Sequence, residues 1–371
     1  MKILALGGCG QEGKTAVTDM IRSDKVEQVI IGDIDITRAN AVMEELASVK
    51  VTTLELDVND REKLCAAMRE VDVVANFVGP YYRYGLPILS AAIECGKHYV
   101  DICDDYDATS SLLSLNDKAV EAGITAIVGL GASPGVTNLM AKHAADQLDQ
   151  VDDIEIKWVV TATDVEGLGE SAALDHGLHM IDGCVPQYLN GAWIDAPATT
   201  ESEVMTFPVV GETPIYYVGH PEPVTLPRYI KGVNNVTCKG GVPGLDSVLH
   251  AMAAIGLTSS RPVEIKGQAV SPRAMALKLF ERLPLSEEQL PPAFSGFYTV
   301  AKGKKQGKPC EYAYIAHGRM SPWTGTPTSI GAIMLGSGEV AKHGVMAPEG
   351  CLDSVLFFAE LAKRGLTVEK S

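Results

Sequence analysis

Acidic and aromatic side chains lie at the ends of two apolar runs in the first third of the sequence, where strands are predicted. These side chains are Tyr81, Tyr82, Asp101, Asp104 and Asp105. Closely packed carboxyl groups raise the pKa of at least one of them towards neutrality, which suits proton transfer. We expect Asp101, which closes a predicted strand, to be the first choice for a catalytic role, with Asp104 as a further candidate. The rings and hydroxyls of Tyr81 and Tyr82 would contact the bound ligands. The alternatives are turn capping for Asp101, the start of the next turn for Asp105, and packing for the two tyrosines.

A glycine pattern, Gly8-x-Gly10-x-x-Gly13, directly follows the apolar run of residues 2–6. In such a pattern the first glycine permits a tight turn, the second admits a pyrophosphate to the backbone, and the third lets helix and strand pack closely. The start of the following helix would offer N–H groups and partial positive charge to the phosphates. The pattern therefore predicts a dinucleotide site.

The choice of dinucleotide depends on Asp33, which lies twenty positions after the last glycine. A carboxylate there can accept hydrogen bonds from ribose hydroxyls but repels a 2′-phosphate, and Asp35 adds to that repulsion. Arg38 is the nearby cation that could oppose it. We expect NAD rather than NADP. The other predicted cofactor contacts are Gln11, Glu12, Ile34, Asp57, Val58, Phe77, Val78, Gly79, Pro80 and Gly135.

A second loop with the composition of an anion site spans residues 129–138, with the sequence GLGASPGVTN. It leads into a predicted helix, whose first N–H groups, with Gly135, could receive a cofactor amide or a substrate carboxylate. A purely structural turn between strand and helix is the alternative.

Alternating strands and helices are predicted to position all of these residues. Six predicted strands, most of them continuously apolar, alternate with helical patterns through residue 147, joined by short connections. This alternation requires a parallel sheet covered on both faces, with ligands beyond the carboxyl ends of its strands. We predict helices over 85–96 and 110–122 in this part of the chain.

Composition excludes several classes of protein. The chain has 371 residues, 46% of them hydrophobic, and a formal net charge of −16. Such an acidic chain disfavours nucleic acid and anionic membranes as partners. Its eight cysteines are scattered singly, and its first residues do not resemble a signal peptide, which together favour reduced thiols and a cytoplasmic location.

The segments GKHYVDICDD, GASPGVTNL, GxGxxxxxGVMAPE and FFAELAKRGL, together with the glycine pattern, resemble the saccharopine dehydrogenase family. The resemblance spans the chain and is strongest across 1–140 and 325–371. It implies an α/β fold: a Rossmann doubly wound parallel sheet over 1–145, completed by C-terminal helices over 326–371. An inserted α+β domain over 146–325 would cover the substrate and form a homodimer.

The family also implies a reaction, namely hydride transfer between a nicotinamide and the carbon of a C–N bond. The expected substrate is lysine or a similar amino acid, in a lysine 6-dehydrogenase or saccharopine-forming or -cleaving reaction. The alternatives are an enzyme of the carboxynorspermidine dehydrogenase type, whose substrate is a carboxylated polyamine, and a non-catalytic NAD-binding protein.

In the middle of the chain we expect Arg228 to bind a substrate carboxylate, because a guanidinium pairs with a carboxylate through two hydrogen bonds. A surface position for this side chain is the alternative. Asp175, His176 and His179 have a helical spacing that could bring a carboxylate and an imidazole to one metal ion. Since no third ligand lies nearby in the sequence, a polar helix face is the favoured interpretation. No metal is expected.

Overall fold

The computed structural model describes residues 1–164, 172–280 and 290–371, which form two compact units. Unit 1 comprises Met1–Leu139 and Ser321–Thr367, and unit 2 comprises Met140–Met320 and Val368–Ser371. The substrate-covering and dimer-forming roles expected of residues 146–325 stay predictions.

Unit 1 is built on a parallel sheet of seven strands in the order β17-β6-β5-β4-β1-β2-β3. The strands are β1 Lys2–Leu6, β2 Gln28–Asp33, β3 Val51–Glu55, β4 Val73–Asn76, β5 His98–Asp101, β6 Thr125–Ile127 and β17 Gly344–Met346. β1 lies between β2 and β4, with Leu4 opposite Ile30 on one side and Val74 on the other. The predicted doubly wound fold is confirmed. The ends of β1 and β4 meet where the strand order reverses, which is where open α/β sheets bind ligands.

The helices of unit 1 are α1 Gln11–Met20, α2 Ile36–Leu46, α3 Arg61–Arg69, α4 Tyr81–Glu94, α5 Tyr106–Leu113, α6 Asn116–Glu121, the start of α7 Val136–Ala145, α12 Met320–Gly336, α13 Pro348–Cys351 and α14 Ser354–Ala362. α12 packs so closely against α1 that a Cβ on Gly325 would lie 2.5 Å from the carbonyl oxygen of Glu12. One apolar cluster, which includes Leu4, Val74 and Tyr99, fills one side of the sheet.

Three details of unit 1 differ from the sequence prediction. α4 begins at Tyr81 rather than at residue 85, because Pro80 suits a helix start and a distant carboxylate binds the first N–H groups. The helix predicted over 110–122 is two helices, α5 and α6. The C-terminal region contributes a strand, β17, in addition to the expected helices.

Unit 2 contains a mixed nine-stranded sheet whose main path is β10-β11-β12-β7-β15-β16-β18, with β8 and β9 joined to β12. Its strands are β7 Gln150–Val160, β8 Cys184–Leu189, β9 Ala192–Pro197, β10 Glu203–Phe207, β11 Gly211–Tyr217, β12 Asn235–Gly241, β15 Ser295–Lys305, β16 Lys308–Gly318 and β18 Glu369–Lys370. β13 Val263–Ile265 and β14 Gln268–Val270 form a separate pair. The helices are α8 Ala172–His179, α9 Glu222–Tyr229, α10 Asp246–Ala254 and α11 Pro272–Phe280, besides the remainder of α7. The hairpin predicted around the lysine-rich turn is β15–β16.

Among the residues described, no helix combines the length and the apolar character needed to cross a membrane.

Candidate active site

The glycine loop turns sharply between β1 and α1. Gly7 adopts a left-handed conformation, with φ of +69°, and its N–H donates to the carbonyl of Gly32 at 2.9 Å. A Cβ on Gly7 would lie 3.1 Å from the backbone of Phe77, so the loop lies against the end of β4. Only glycine tolerates both conditions without strain. The sequence analysis did not single out Gly7, because the fingerprint begins at Gly8.

Gly13 sets the distance between α1 and the loop. A Cβ there would lie 2.5 Å from the carbonyl oxygen of Gly7 and 2.7 Å from the Cα of Gly8. Helix α1 begins after Gly10, and no side chain caps its N-terminus. In the first turn of α1, the backbone carbonyl of Gln11 accepts a hydrogen bond from the Thr15 hydroxyl. The Glu12 carboxylate accepts a hydrogen bond from the Ser321 hydroxyl. A compact loop below an uncapped helix start fits a dinucleotide pyrophosphate.

Asp33, the last residue of β2, faces the glycine loop. Its carboxylate accepts from the Cys9 thiol at 2.9 Å and from the Asp35 N–H at 3.0 Å. Burial and the Asp33 carboxylate raise the pKa of the Cys9 thiol to about 12, so Cys9 stays neutral beside this acid. Asp35 caps α2 through the N–H of Arg38, while Ile34 is exposed. The carboxylate is thus placed where a ribose hydroxyl would lie in a dinucleotide fold.

The remaining predicted cofactor residues lie on loops that follow β3 and β4. Asp57 is exposed and accepts from the backbone and side chain of Asn59, and Val58 packs on the apolar cluster. After β4 the chain runs through Phe77, Val78, Gly79 and Pro80, with a cis Gly79-Pro80 peptide. The Phe77 N–H continues the pairing with Leu6. The two ends of the predicted cofactor set, the glycine loop and residues 77–80, are therefore adjacent.

Asp101 is completely buried at the end of β5. Its Oδ1 accepts from the N–H groups of Cys103 at 3.0 Å and Gly129 at 2.7 Å, and its Oδ2 accepts from the Tyr99 hydroxyl at 2.8 Å. Burial raises the pKa of Asp101 to about 6 although these hydrogen bonds oppose it. Both carboxylate oxygens thus bind the protein itself and tie β5 to the loop after β6, which favours the structural role named as an alternative.

Asp105 also binds the backbone, at the start of α4. Its Oδ2 accepts from the N–H groups of Tyr81 at 2.9 Å and Tyr82 at 3.2 Å, where the helix has no local side-chain cap. Tyr81 is buried and its hydroxyl donates to the carbonyl of Asn76, and burial holds the pKa of this phenol well above its usual range. Tyr81 is therefore placed as a packing residue. Tyr82, by contrast, is 40% exposed.

Asp104 differs from its two acidic neighbours because it is only partly buried. It lies close enough to Asp101 for its charge to raise the pKa of that carboxyl, after the larger effect of burial. Its charge acts in the same direction on the buried Tyr81 phenol. Of the three acids after β5, Asp104 is the one whose side chain reaches the surface of unit 1.

The second loop does not offer the free N–H groups predicted for it. The N–H of Gly135 donates to Asn138 Oδ1 at 2.9 Å, and those of Val136 and Thr137 donate to carbonyl groups of the same loop. Gly135 itself is required by the turn, since its φ is +123° and a Cβ would lie 2.3 Å from the Gly131 carbonyl oxygen. These hydrogen bonds agree with the structural turn named as the alternative, and the cofactor role of Gly135 stays a prediction.

The candidates of unit 2 occupy ordinary structural positions. Arg228 is exposed, stacks over Trp193 at 5.7 Å and donates to the carbonyl of Val224, which agrees with the surface alternative. Asp175 and His179 of α8 both contact the buried guanidinium of Arg273, at 3.7 Å and 3.2 Å. They therefore join α8 to α11, as expected of a polar helix face.

Comparison with known proteins identifies the nucleotide-binding part of the chain. Residues 3–127 match the family described as the saccharopine dehydrogenase NADP binding domain. This part of the chain is similar to that domain. The resemblance found in the sequence motifs is thereby confirmed, and with it a dehydrogenase family that binds a nicotinamide nucleotide.

Relatives and solved structures extend the similarity to the whole chain. The chain is 25% identical to carboxynorspermidine synthase of Vibrio cholerae, over 94% of this chain and 92% of that one. It is 23% identical to carboxyaminopropylagmatine dehydrogenase of Synechocystis, over 97% and 95%. The apo saccharopine dehydrogenase (L-Glu forming) of Saccharomyces cerevisiae has the same fold, with a TM-score of 0.74 at 16% identity over 100% and 99% of the two chains.

Proposed function

We propose that this chain is a nicotinamide-dependent dehydrogenase acting on the secondary-amine C–N bond of a carboxylated polyamine. The observation that carries the proposal is the extent of the similarity. Relatives whose names specify a carboxylated polyamine or agmatine derivative match 94% and 97% of the chain. A saccharopine dehydrogenase of Schizosaccharomyces pombe matches 30% of it. Sequence similarity over nearly the whole chain is thus shared with the polyamine-type relatives, which favours the alternative from the sequence over lysine.

Charge supports a polycationic substrate. The net charge of −16 attracts cations at long range and raises their concentration near the protein. Asp101 ends β5, and Asp104 and Asp105 follow it; of these three aspartates, Asp104 is the one that is partly exposed. A carboxylate at this edge suits an ammonium group better than it suits the second carboxylate of saccharopine.

The glycine loop and α1 would hold the pyrophosphate, and Asp33 the adenosine ribose. The nicotinamide, when bound, accepts or supplies the hydride at the carbon of the C–N bond. Asp33 and Asp35 lead us to propose NAD as the preferred form. A tenfold higher kcat/KM with NADP would overturn this part of the proposal.

We propose that Asp104 accepts and returns the proton at the substrate nitrogen. Oxidation of an amine requires its neutral form, so a base must remove the ammonium proton, and imine reduction needs the reverse transfer. Asp101 and Asp105 bind backbone N–H groups that would be left unpaired if these carboxylates moved. In this arrangement they position the loop that carries Asp104.

The test is a substrate panel read by absorbance of the reduced nicotinamide. The purified protein is assayed with carboxynorspermidine, saccharopine and lysine, each with NAD and with NADP. We expect kcat/KM for carboxynorspermidine to exceed the other two values at least tenfold. Faster oxidation of saccharopine would refute the polyamine assignment, and nucleotide binding without turnover would favour a non-catalytic protein.

A variant pair tests the assigned acid. Asp104→Asn should lower kcat about a hundredfold, the lower end of what positioned proton transfer contributes, with little change in nucleotide affinity. Asp107→Asn, which replaces an exposed acid of α5, is the matched control and should keep normal activity. A kcat for Asp104→Asn within threefold of the control would remove Asp104 from proton transfer.

A further inference from the structure

Three side chains of metal-binding type lie together in the interior of unit 2, and none of the three has a role in the proposed function. They are His220, Glu222 and Cys238, which are 3%, 0% and 0% exposed. Ligand atoms from all three lie within 4.8 Å of one another. Buried charged groups need compensation, so a fully buried carboxylate beside a thiol and an imidazole requires an explanation.

The backbone around this cluster is held in place by further hydrogen bonds. Cys238 lies in β12, and its N–H donates to the buried Gln187 Oε1 at 3.0 Å. The amide of Gln187 donates in turn to the carbonyl of Val218 at 3.2 Å. Glu222 is the first residue of α9, and His220 precedes it by two positions. The three side chains therefore come from β12, from the first residue of α9 and from the segment just before α9, and hydrogen bonds within the protein hold the backbone at Cys238.

The donor set and its spacing fit a zinc-type ion. Imidazole nitrogen, carboxylate oxygen and thiolate sulfur are its usual ligands, at about 2.0–2.3 Å from the metal. Tetrahedral ligands at those lengths lie roughly 3.3–3.8 Å apart, by the geometry of the same site. His220 Nδ1 lies 2.6 Å from Glu222 Oε2, and the most distant pair lies within 4.8 Å. Shifts of about 1 Å would bring all three to ligand distances.

The charges also balance. A thiolate, a carboxylate, a neutral imidazole and a divalent cation sum to zero, which is the condition for an ion pair to persist in an interior. Burial and the charge of Glu222 hold the pKa of the Cys238 thiol well above its usual range, whereas the Trp158 indole favours the thiolate. A bound cation would displace the thiol proton, which leaves to solvent.

The neighbours of the cluster resemble those that support metal ligands. Trp158 packs against the His220 ring with centroids 5.5 Å apart, and His176 packs on it edge-on at 5.6 Å. Aromatic walls restrict the rotation of an imidazole and exclude water, and such surroundings strengthen metal binding.

We propose that His220, Glu222 and Cys238 bind one divalent transition-metal ion of the zinc class, with a fourth position open to a small ligand. The sequence analysis expected no metal and considered only the Asp175–His179 segment, because Cys238 is remote in sequence and enters the cluster through β12. The site belongs to unit 2, and none of its three ligands has a role in the dehydrogenase activity proposed above.

The test measures metal directly on the whole chain, after any affinity tag has been removed. The protein is dialysed against EDTA, returned to chelator-free buffer and titrated with Zn²⁺ and Co²⁺ alone. We expect one tightly bound ion per chain by elemental analysis. With Co²⁺ we also expect a near-ultraviolet thiolate-to-cobalt band and visible bands typical of a tetrahedral site. A folded chain that binds neither ion stoichiometrically, or binds Co²⁺ without the thiolate band, overturns the proposal.

Variants identify the ligands. Cys238→Ser should abolish the thiolate band, and His220→Gln should weaken binding at least roughly a hundredfold. Cys184→Ser, an exposed cysteine of β8, is the matched control and should leave the spectrum unchanged. Circular dichroism reports whether each variant is folded. If the cluster variants do not fold, the cobalt spectrum of the unmodified chain and its loss with EDTA decide the question.

Discussion

Replacing Asp101 with Asn should remove a pH dependence of stability that this one carboxyl creates. Asp101 is fully buried, and its two oxygens accept three hydrogen bonds, from Tyr99, Cys103 and Gly129. Asparagine has nearly the same shape and keeps one carbonyl oxygen for the two N–H donors. Its amide carries no charge, so the variant changes titration more than it changes packing.

The magnitude follows from the raised pKa, about 6 in the folded chain against a reference of 3.8. Between these two values the folded chain binds more protons than the unfolded chain, so the free energy of unfolding falls as pH rises. Over the whole window the loss from this group is about 3 kcal/mol, and between pH 5 and pH 7 it is about 1 kcal/mol. The stabilising contribution of Asp101 is fully present below pH 3.8 and is absent above about pH 6.

Urea unfolding monitored by circular dichroism at pH 5 and pH 7 measures this difference. We expect the decrease in the unfolding free energy from pH 5 to pH 7 to be about 1 kcal/mol smaller in Asp101→Asn than in the unmodified chain. Asp24→Asn, an exposed acid, is the control and should behave as the unmodified chain does. Equal pH dependence in all three proteins would show that Asp101 does not titrate in this range.

Three further predictions concern the cofactor site and helix α8. Gly13→Ala should weaken NADH binding at least roughly tenfold in calorimetry, since its Cβ would lie 2.5 Å from the Gly7 carbonyl oxygen; an unchanged affinity would contradict the assigned close approach of α1 to the loop. Asp33→Ser should shift the ratio of kcat/KM values towards NADP by roughly tenfold, because it removes the carboxylate that repels a 2′-phosphate; an unchanged ratio would exclude this role. Gly177→Ala should raise the free energy of unfolding by about 0.5–1 kcal/mol in urea, because open space surrounds the position in α8 and alanine favours a helix; a loss of stability would contradict this.

Local sequence patterns predicted most of the nucleotide-binding unit. Apolar runs separated by helical patterns identified β1 to β6. The most continuous run contains β4, which is buried throughout. The three-residue strand β17 was missed, since its place in the sheet comes from pairing with β6 more than two hundred residues earlier. The start of α4 was misplaced for a similar reason, because Asp105 binds its first N–H groups from 24 positions away. Contacts of this kind leave no periodic signal.

The sequence predicted which residues belong to the candidate site, but not what each of these residues does in the structure. Spacing located the glycine loop and the acids after β5, because strand ends of a parallel sheet meet at one edge. Spacing could not show that Gly135 lies in a loop that satisfies its own N–H groups, nor that Tyr81 turns inward. Those outcomes depend on which neighbour supplies each hydrogen bond.

The three acids after β5 show how one short segment produces different environments. Asp101 ends the strand and lies inside the sheet, where burial raises its pKa and backbone N–H groups hold it. Asp105 lies four residues later and binds the start of α4. With the segment fixed at both ends, Asp104 between them has little freedom to move and is only partly buried. A proton-transfer group needs a fixed position and access to substrate, and of these three acids Asp104 is therefore the one that we propose for that role.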